Sequence, residues 1–511
     1  MSETTGGSAT PREITTDVLI VGSGMGGSTL AYALKDGAED VLVVERGERL
    51  PREPENSSAE DVHLRGRYKN AEQWYNGVTG EGFNPGVYYW VGGNTKLYGA
   101  CLPRFRASDF QETRHRDGVS PAWPFSYNEL EKHYVRAEEL FAVRGRVGED
   151  PTEPAHSTQY PFAALEHEPV IEELAASFAD QGLRPFHMAT GLNVLTTEER
   201  CACAGCDGAP CETGAKSDAE NCALDPALAS ARVSLLTGTV ATRLETSPDG
   251  KRVVAVCAEQ DGEPVTIVAK KYVLSAGAVN SAALLLRSTS PEYPEGLGNS
   301  SGLVGRNYMV HNSTFFMAVD PRRVNATYWQ KTLGLNDWYE AGSHERYPLG
   351  NVQMLGKLRA PMLKSAKRWV PNLLLGWLTD HSVDLYLTTE DLPRVTNGIR
   401  VVEDNIHVWW NTTNTSSHRR LVRRMRRAVR RAGYPLVLTQ RMGIETNSHQ
   451  CGTLVAGHDP KTSVLNADCR SHDIENLWVV DSSFFPSSAA LNPALTIAAN
   501  ALRVADRITQ S

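Results

Sequence analysis

The run Asp17-Val-Leu-Ile-Val21, followed without a gap by Gly22-Ser-Gly24-Met-Gly26-Gly27, constrains this chain more than any other segment. A short apolar stretch rich in β-branched residues reads as a buried strand, and the glycines after it as a tight turn. Residues 28–35 have helix-forming composition, and Asp40-Val-Leu-Val-Val-Glu45 is a second buried strand that ends in an acid. The order strand, glycine turn, helix, strand and acid predicts a dinucleotide-binding unit. Gly22 permits the tight turn, Gly24 lets a pyrophosphate approach the backbone, and Gly27 lets helix and strand pack closely. The helix N-terminus then offers N–H groups and a positive dipole end to the phosphates. Glu45, 23 positions after Gly22, is placed to hydrogen-bond a ribose hydroxyl and to repel a 2′-phosphate, which argues against NADP. The motif by itself does not separate FAD from NAD.

At 511 residues the chain exceeds one simple core, and two large units sharing a cleft are expected. A net charge of -8 gives no reason to expect nucleic acid as a partner. The first 14 residues lack the basic start and apolar core of a signal peptide, so a cytoplasmic location is expected. No stretch approaches the roughly 18 to 20 apolar residues of a membrane helix, and no stable membrane association is expected. The nine cysteines are then expected as reduced thiols.

Three segments invite sharper readings. Cys201, Cys203, Cys206, Cys211 and Cys222 crowd together, but their spacing fits no standard ligand set, and no metal is expected. Eight arginines lie in residues 418–431, while Leu421, Val422, Met425 and Val429 recur at helical spacing. That pattern predicts an amphipathic helix with a solvated basic face. Residues 359–378 mix Lys and Arg with Trp369, Leu373, Leu374, Leu375 and Trp377, and read as a lid over the substrate or as a contact surface.

The choice between FAD and NAD comes from further segments. Val91-Gly-Gly-Asn-Thr-Lys-Leu-Tyr-Gly99, Trp123-Pro-Phe-Ser-Tyr-Asn-Glu-Leu130, the β-rich residues 233–244, Tyr272-Val-Leu-Ser-Ala-Gly-Ala-Val-Asn-Ser281 and Leu303-Val-Gly-Arg-Asn307 are followed by Asn476-Leu-Trp-Val-Val-Asp481, Ser-Ser-Phe-Phe-Pro486 and Asn492-Pro-Ala-Leu-Thr496. Together they resemble the glucose-methanol-choline (GMC) oxidoreductases, FAD-dependent alcohol oxidases and dehydrogenases, over nearly the whole length. The resemblance implies an α/β fold: a Rossmann-like FAD-binding domain of the GMC and p-hydroxybenzoate hydroxylase type, with a second α+β substrate domain on an antiparallel sheet. The implied division gives residues 14–110 and 201–310 to FAD binding, 111–200 to a mixed connector and substrate-side segment, and 311–440 to the substrate domain. Residues 441–511 then hold the catalytic His segment and the last FAD-binding part.

By the same resemblance, Gly92, Gly93, Asn94 and Thr95 form a loop over the flavin ring, and the Val240 backbone meets the adenine. Ala276 passes near the pyrophosphate, and Asp481, Asn492 and Thr496 flank the helix aimed at the flavin. Leu97 stands where some fungal relatives carry a covalently linked His, so the FAD is expected to be non-covalent. Read from its residues alone, the last segment is a strand ended by Asp481, then Asn492 as an N-cap and Pro493 in the first turn of a helix.

Oxidising an alcohol requires a base for the hydroxyl proton and a polar group to fix the oxygen, besides an acceptor for the hydride. Among 14 histidines, His449 stands apart because His449-Gln-Cys-Gly-Thr453 matches the family's H-x-x-G-T motif. The resemblance makes His449 the base and Asn492 the group that positions the oxygen, with a helix cap as the plainer reading of Asn492. Residues 310–319 and 349–357 are expected as substrate-side strands, and Arg104, Asn312 and Gln353 as contacts to substrate hydroxyls. Thr332-Leu-Gly-Leu-Asn-Asp-Trp338, Tyr347-Pro-Leu-Gly-Asn351 and Asn492 are most similar to bacterial pyranose oxidases and C-glycoside 3-oxidases. That similarity implies oxidation of a C3 or C2 ring hydroxyl on a pyranose or glycoside, with molecular oxygen reduced to hydrogen peroxide. The alternatives are a dehydrogenase passing electrons to a quinone or other acceptor, and an oxidase of sterols or other alcohols.

Overall fold

The computed structural model describes residues 12–193, 207–342 and 345–510. Its largest sheet runs in the order Val233–Leu236, Val41–Val44, Arg12–Val21, Glu263–Leu274, Val253–Gln260 and Thr239–Thr246, with Leu477–Val479 also paired to Glu263–Leu274. The pairs around Arg12–Val21 are parallel. Parallel strands are covered on both faces, which is why residues 18–21 and 41–44 are unbroken apolar runs and are all buried. The expected strand over 233–244 is two strands, because Gly238 (φ +60°) turns the chain from the parallel edge to the antiparallel one.

The helix Met25–Leu34 packs on this sheet and against the C-terminal helix Ala494–Ile508. The latter also contacts Tyr127–Leu140, whose capping box at Ser126 and Glu129 fixes its start.

The second unit is a six-stranded antiparallel sheet in the order Leu436–Arg441, Asn312–Val319, Ser382–Thr389, Asn351–Met354, Leu333–Leu335 and Pro185–His187. The last strand comes from the segment read above as a connector. The arginine-rich helix, Thr415–Arg431, packs on this sheet through Leu421, Met425 and Val429, while Arg424 reaches the buried Glu345 at 2.7 Å. Residues 359–380 hold two short helices, Ala360–Ala366 and Asn372–Asp380. Of the cysteine cluster, Cys201, Cys203 and Cys206 lie outside the described residues, Cys211 is buried and Cys222 half-buried. Among the described residues no helix is long and apolar enough to cross a membrane.

Candidate active site

A single cavity of about 1730 Å³ runs from the glycine turn to the face of the antiparallel sheet. At one end it is lined by Gly22, Gly24, Met25, Gly26 and Glu45, and at the other by His449, Asn492, Tyr386 and Lys331. The glycines separate two kinds of requirement. At Gly22 (φ +103°) a Cβ would lie 2.4 Å from the Ser275 carbonyl oxygen, and at Gly27 it would lie 2.0 Å from that of Gly22. The protein itself therefore demands both. Gly24 has an ordinary φ of -68°, and a Cβ there would meet nothing within 4 Å. Nothing in the chain forbids a side chain at Gly24; the open space is a cradle at the helix N-terminus, where a pyrophosphate fits.

Glu45 lines the cavity and is buried. Its carboxylate accepts from the Ser23 N–H (3.0 Å) and hydroxyl (2.7 Å) and from the Gly47 N–H (3.0 Å). Burial raises its pKa against the pull of these donors. A carboxylate offers about four acceptor positions, so one remains for a ribose hydroxyl.

The loop after Val91 crosses over this turn. Gly92 (φ +91°) and Gly93 (φ +57°) are left-handed, and a Cβ on Gly93 would lie 3.2 Å from the Gly24 Cα. Gly93, Asn94, Thr95 and Leu97 line the cavity, whereas Gly92 sits behind, donating its N–H to the Ser23 hydroxyl (3.1 Å). Val240 and Ala276 line it from the sheet side. Asp481 also faces it and accepts from the N–H groups of Gly277 (3.0 Å) and Ser483 (2.9 Å) and from the hydroxyls of Ser281 and Ser483. The hydrocarbon side chain of Leu97 supplies no atom for a covalent link.

Four further expected contacts fall elsewhere. Thr496 is fully buried and shares a hydrogen bond with the Tyr134 hydroxyl (2.7 Å), away from the cavity. Arg104 is buried between Glu138, which takes two hydrogen bonds at 2.7 Å, the Tyr127 hydroxyl (2.8 Å) and Glu131 (3.1 Å). Asn312 is buried, donating to the Thr413 carbonyl (2.8 Å) and accepting from Arg441. All three tie elements of the fold together and none lines the cavity.

Gln353 does not line it either, but holds a residue that does. Its Nε2 donates to the Asn351 side-chain oxygen (3.1 Å) and to that of Asn492 (2.7 Å). Behind it, Asn351 donates to Asn336 (2.8 Å), and Asn336 to the Asp150 carboxylate (2.7 Å). Because the Asp150 carboxylate, paired with Arg106, accepts from Asn336, the direction of every amide in this row is set. The row ends with the Asn492 oxygen occupied and its NH2 left to donate. The expected cap is absent: the helix begins at Ala494 with Pro493 at the cap position and no side-chain cap bond.

His449 is half-buried on the cavity wall with its Nδ1 3.1 Å from Nδ1 of His311. Burial drives its pKa well below the ordinary value of 6.5; His311 and Lys331 add to this, and Asp207 opposes it. The sequence reading missed Lys331 and Asp207, an ion pair at 2.8 Å on the same wall. Glycines pack against this pair: a Cβ on Gly99 would lie 2.2 Å from the Lys331 Nζ and 2.3 Å from Asp207 Oδ1, and one on Gly356 2.7 Å from the Asp207 Cβ. The segment 359–378 lines the cavity through Met362, Trp369, Val370, Leu374 and Leu378, and Leu373, which does not line it, is 90% exposed.

A dinucleotide cradle joined by one cavity to a neutral imidazole and an oriented amide defines a Rossmann-type oxidoreductase. Models of the GMC oxidoreductase family match residues 87–313 and 394–501, and one of an NAD(P)-binding Rossmann-like domain matches residues 20–51. The chain is 32% identical to paromamine 6′-oxidase of Streptomyces fradiae and 31% identical to 6‴-hydroxyparomomycin C oxidase of Streptomyces lividus, each over 96% of this chain and 91% of the relative. It is 25% identical to the fructose dehydrogenase large subunit of Gluconobacter japonicus over 97% of this chain and 98% of that one. Pyridoxine 4-oxidase shares the fold with a TM-score of 0.67 at 19% identity, over 97% of this chain and 99% of that one. The chain belongs to the GMC oxidoreductase family. It is an FAD-dependent enzyme acting on CH–OH donors, and the glycine cradle, Glu45 and the 91–99 loop are residues fit to hold that cofactor.

Proposed function

We propose that the enzyme oxidises a secondary ring hydroxyl, C3 or C2, of a pyranose sugar or glycoside to a keto-sugar, with molecular oxygen reduced to hydrogen peroxide. The observation that carries the reading is that His449 and Asn492 line one cavity, each with a defined atom left for a ligand. FAD, when bound, supplies the acceptor for the hydride from the alcohol carbon. His449 is neutral at physiological pH, the form that can take the hydroxyl proton. Asn492 donates its NH2 to the same oxygen and fixes it. The Lys331 and Asp207 pair offers donors and an acceptor to neighbouring hydroxyls, which favours a polyhydroxylated substrate over an apolar one.

A second reading, a dehydrogenase with a quinone or other acceptor, is favoured by the relative named as a fructose dehydrogenase. The two relatives named as paromamine and hydroxyparomomycin oxidases carry positions 6′ and 6‴ in their names, so an attack outside the ring is the competing regiochemistry. Product analysis decides both points. Incubating the holoenzyme in air with glucose, glucosides and aminoglycosides should give one peroxide per carbonyl formed, and carbon NMR should place that carbonyl at C3 or C2. Turnover only with an added quinone would make it a dehydrogenase, and an aldehyde product would refute the ring assignment.

A further inference from the structure

We infer that His311 is a positioning residue that fixes the tautomer of His449, leaving the bare Nε2 of His449 as the atom presented to the cavity. The inference rests on the reading of His449 as the base and extends it to a residue that touches neither substrate nor cofactor pocket. His311 is buried immediately before the strand Asn312–Val319. Its Nε2 lies 3.1 Å from the carbonyl oxygen of Ser488. A carbonyl can only accept, so His311 Nε2 carries a hydrogen. Burial pushes the pKa of this ring down to about 4, so at neutral pH it holds one hydrogen only. Its Nδ1 is therefore an acceptor.

The partner of that acceptor is His449 Nδ1, 3.1 Å away. Of the two nitrogens only His449 can donate, and His449 is neutral as well, so its single hydrogen is committed at Nδ1. Its Nε2 is left with a lone pair, and it makes no hydrogen bond to any described residue. The order of groups is thus Ser488 carbonyl, His311, His449, cavity, with every N–H pointing back toward Ser488. The opposite tautomer of His449 would offer an N–H to the substrate and could not take its proton. Free imidazole side chains in water prefer that opposite tautomer, so the ring needs an acceptor behind it. Once His449 has taken the hydroxyl proton, the same contact becomes a charge-assisted hydrogen bond from the imidazolium to His311. A neutral acceptor, in place of a carboxylate, also keeps His449 from being protonated before substrate arrives. Besides His311, the charged groups bearing on His449 are Lys331 and Asp207 on the cavity wall, and the Tyr386 ring lies 6.4 Å from it by centroids.

Two measurements test this on the FAD-loaded enzyme. In protein labelled with 15N-histidine, the signals absent from His449→Ala identify His449; they should show a neutral ring with its hydrogen on Nδ1. A hydrogen on Nε2 would overturn the inference, and this reading needs no change at position 311. The second compares anaerobic flavin reduction in His311→Leu, which has no acceptor, and His311→Asn, which puts a carbonyl oxygen near the place of Nδ1. His311→Leu should be slower by about 10- to 100-fold at unchanged KM and FAD content, with His311→Asn recovering most of the rate. Equal rates in all three proteins, or equal loss in both variants, would remove the positioning role. Should His449→Ala prove as fast as the parent, the base reading fails, while the NMR result still decides the tautomer.

Discussion

Replacing His449 with alanine should leave a folded, yellow protein whose flavin is reduced by substrate about 100- to 10,000-fold more slowly. The size follows from what is removed. His449 is the neutral nitrogen base on the substrate wall, and its loss leaves the hydroxyl proton to water, which is a far weaker base. Binding of FAD should survive, because the Gly24 cradle and Glu45 lie at the other end of the cavity. Stopped-flow reduction without oxygen reads the effect directly, and an unchanged rate would take His449 out of the reaction. The pH profile carries the same information with a definite sign. Burial lowers the His449 pKa below 6.5, so the base form persists as the pH falls through 6.5 and the rate should decline only in more acidic solution. A decline centred at the ordinary histidine value would contradict the lowered pKa of this ring.

Gly24→Val should give the second large effect, an enzyme that folds as well as the parent but purifies colourless. At Gly24 the backbone is ordinary and a Cβ meets nothing, so the substitution costs the apoprotein little, while two added methyls occupy the space left for the pyrophosphate. Gly27→Val is the control with the opposite cause: its Cβ would be driven into the Gly22 carbonyl oxygen, and the fold itself should suffer. Flavin absorbance after purification and thermal unfolding separate the two. Normal flavin content in Gly24→Val would show that the cofactor does not lie over this turn.

These two sites were legible in the sequence for different reasons. The glycine turn is largely a local device: the left-handed backbone at Gly22 and the clash of a Gly27 Cβ with the Gly22 carbonyl arise within one strand-turn-helix, so spacing exposes them, whereas the crowding of Gly22 by Ser275 comes from a distant segment. His449 and Asn492 came through motif resemblance, and the structure adds which of their atoms are committed elsewhere. The polar residues Arg104, Asn312 and Thr496 show the limit of such reading. Residue type says that a side chain needs hydrogen-bond partners, but not whether they lie in a substrate cavity or between packed elements. Glu138, Thr413 and Tyr134 meet those needs inside the fold. Gln353 lies between the two cases, next to the cavity yet engaged with Asn492. Lys331 and Asp207 are 124 positions apart and His311 and His449 are 138 apart, so no periodicity or spacing could have joined either pair. His311 and His449 meet because the chain pairs at Met309 and Cys451, a contact far apart in sequence.

The central claim is that an alcohol bound at His449 and Asn492 gives its hydride to FAD held over the Gly24 turn. The most direct measurement is to mix the purified holoenzyme, without oxygen, with a panel of free sugars, glycosides, aminoglycosides, sterols and simple alcohols while following the yellow flavin absorbance. The account predicts rapid bleaching by members of the sugar-like group and none by the sterols. A flavin that no alcohol bleaches, or that only the apolar alcohols bleach, would contradict it.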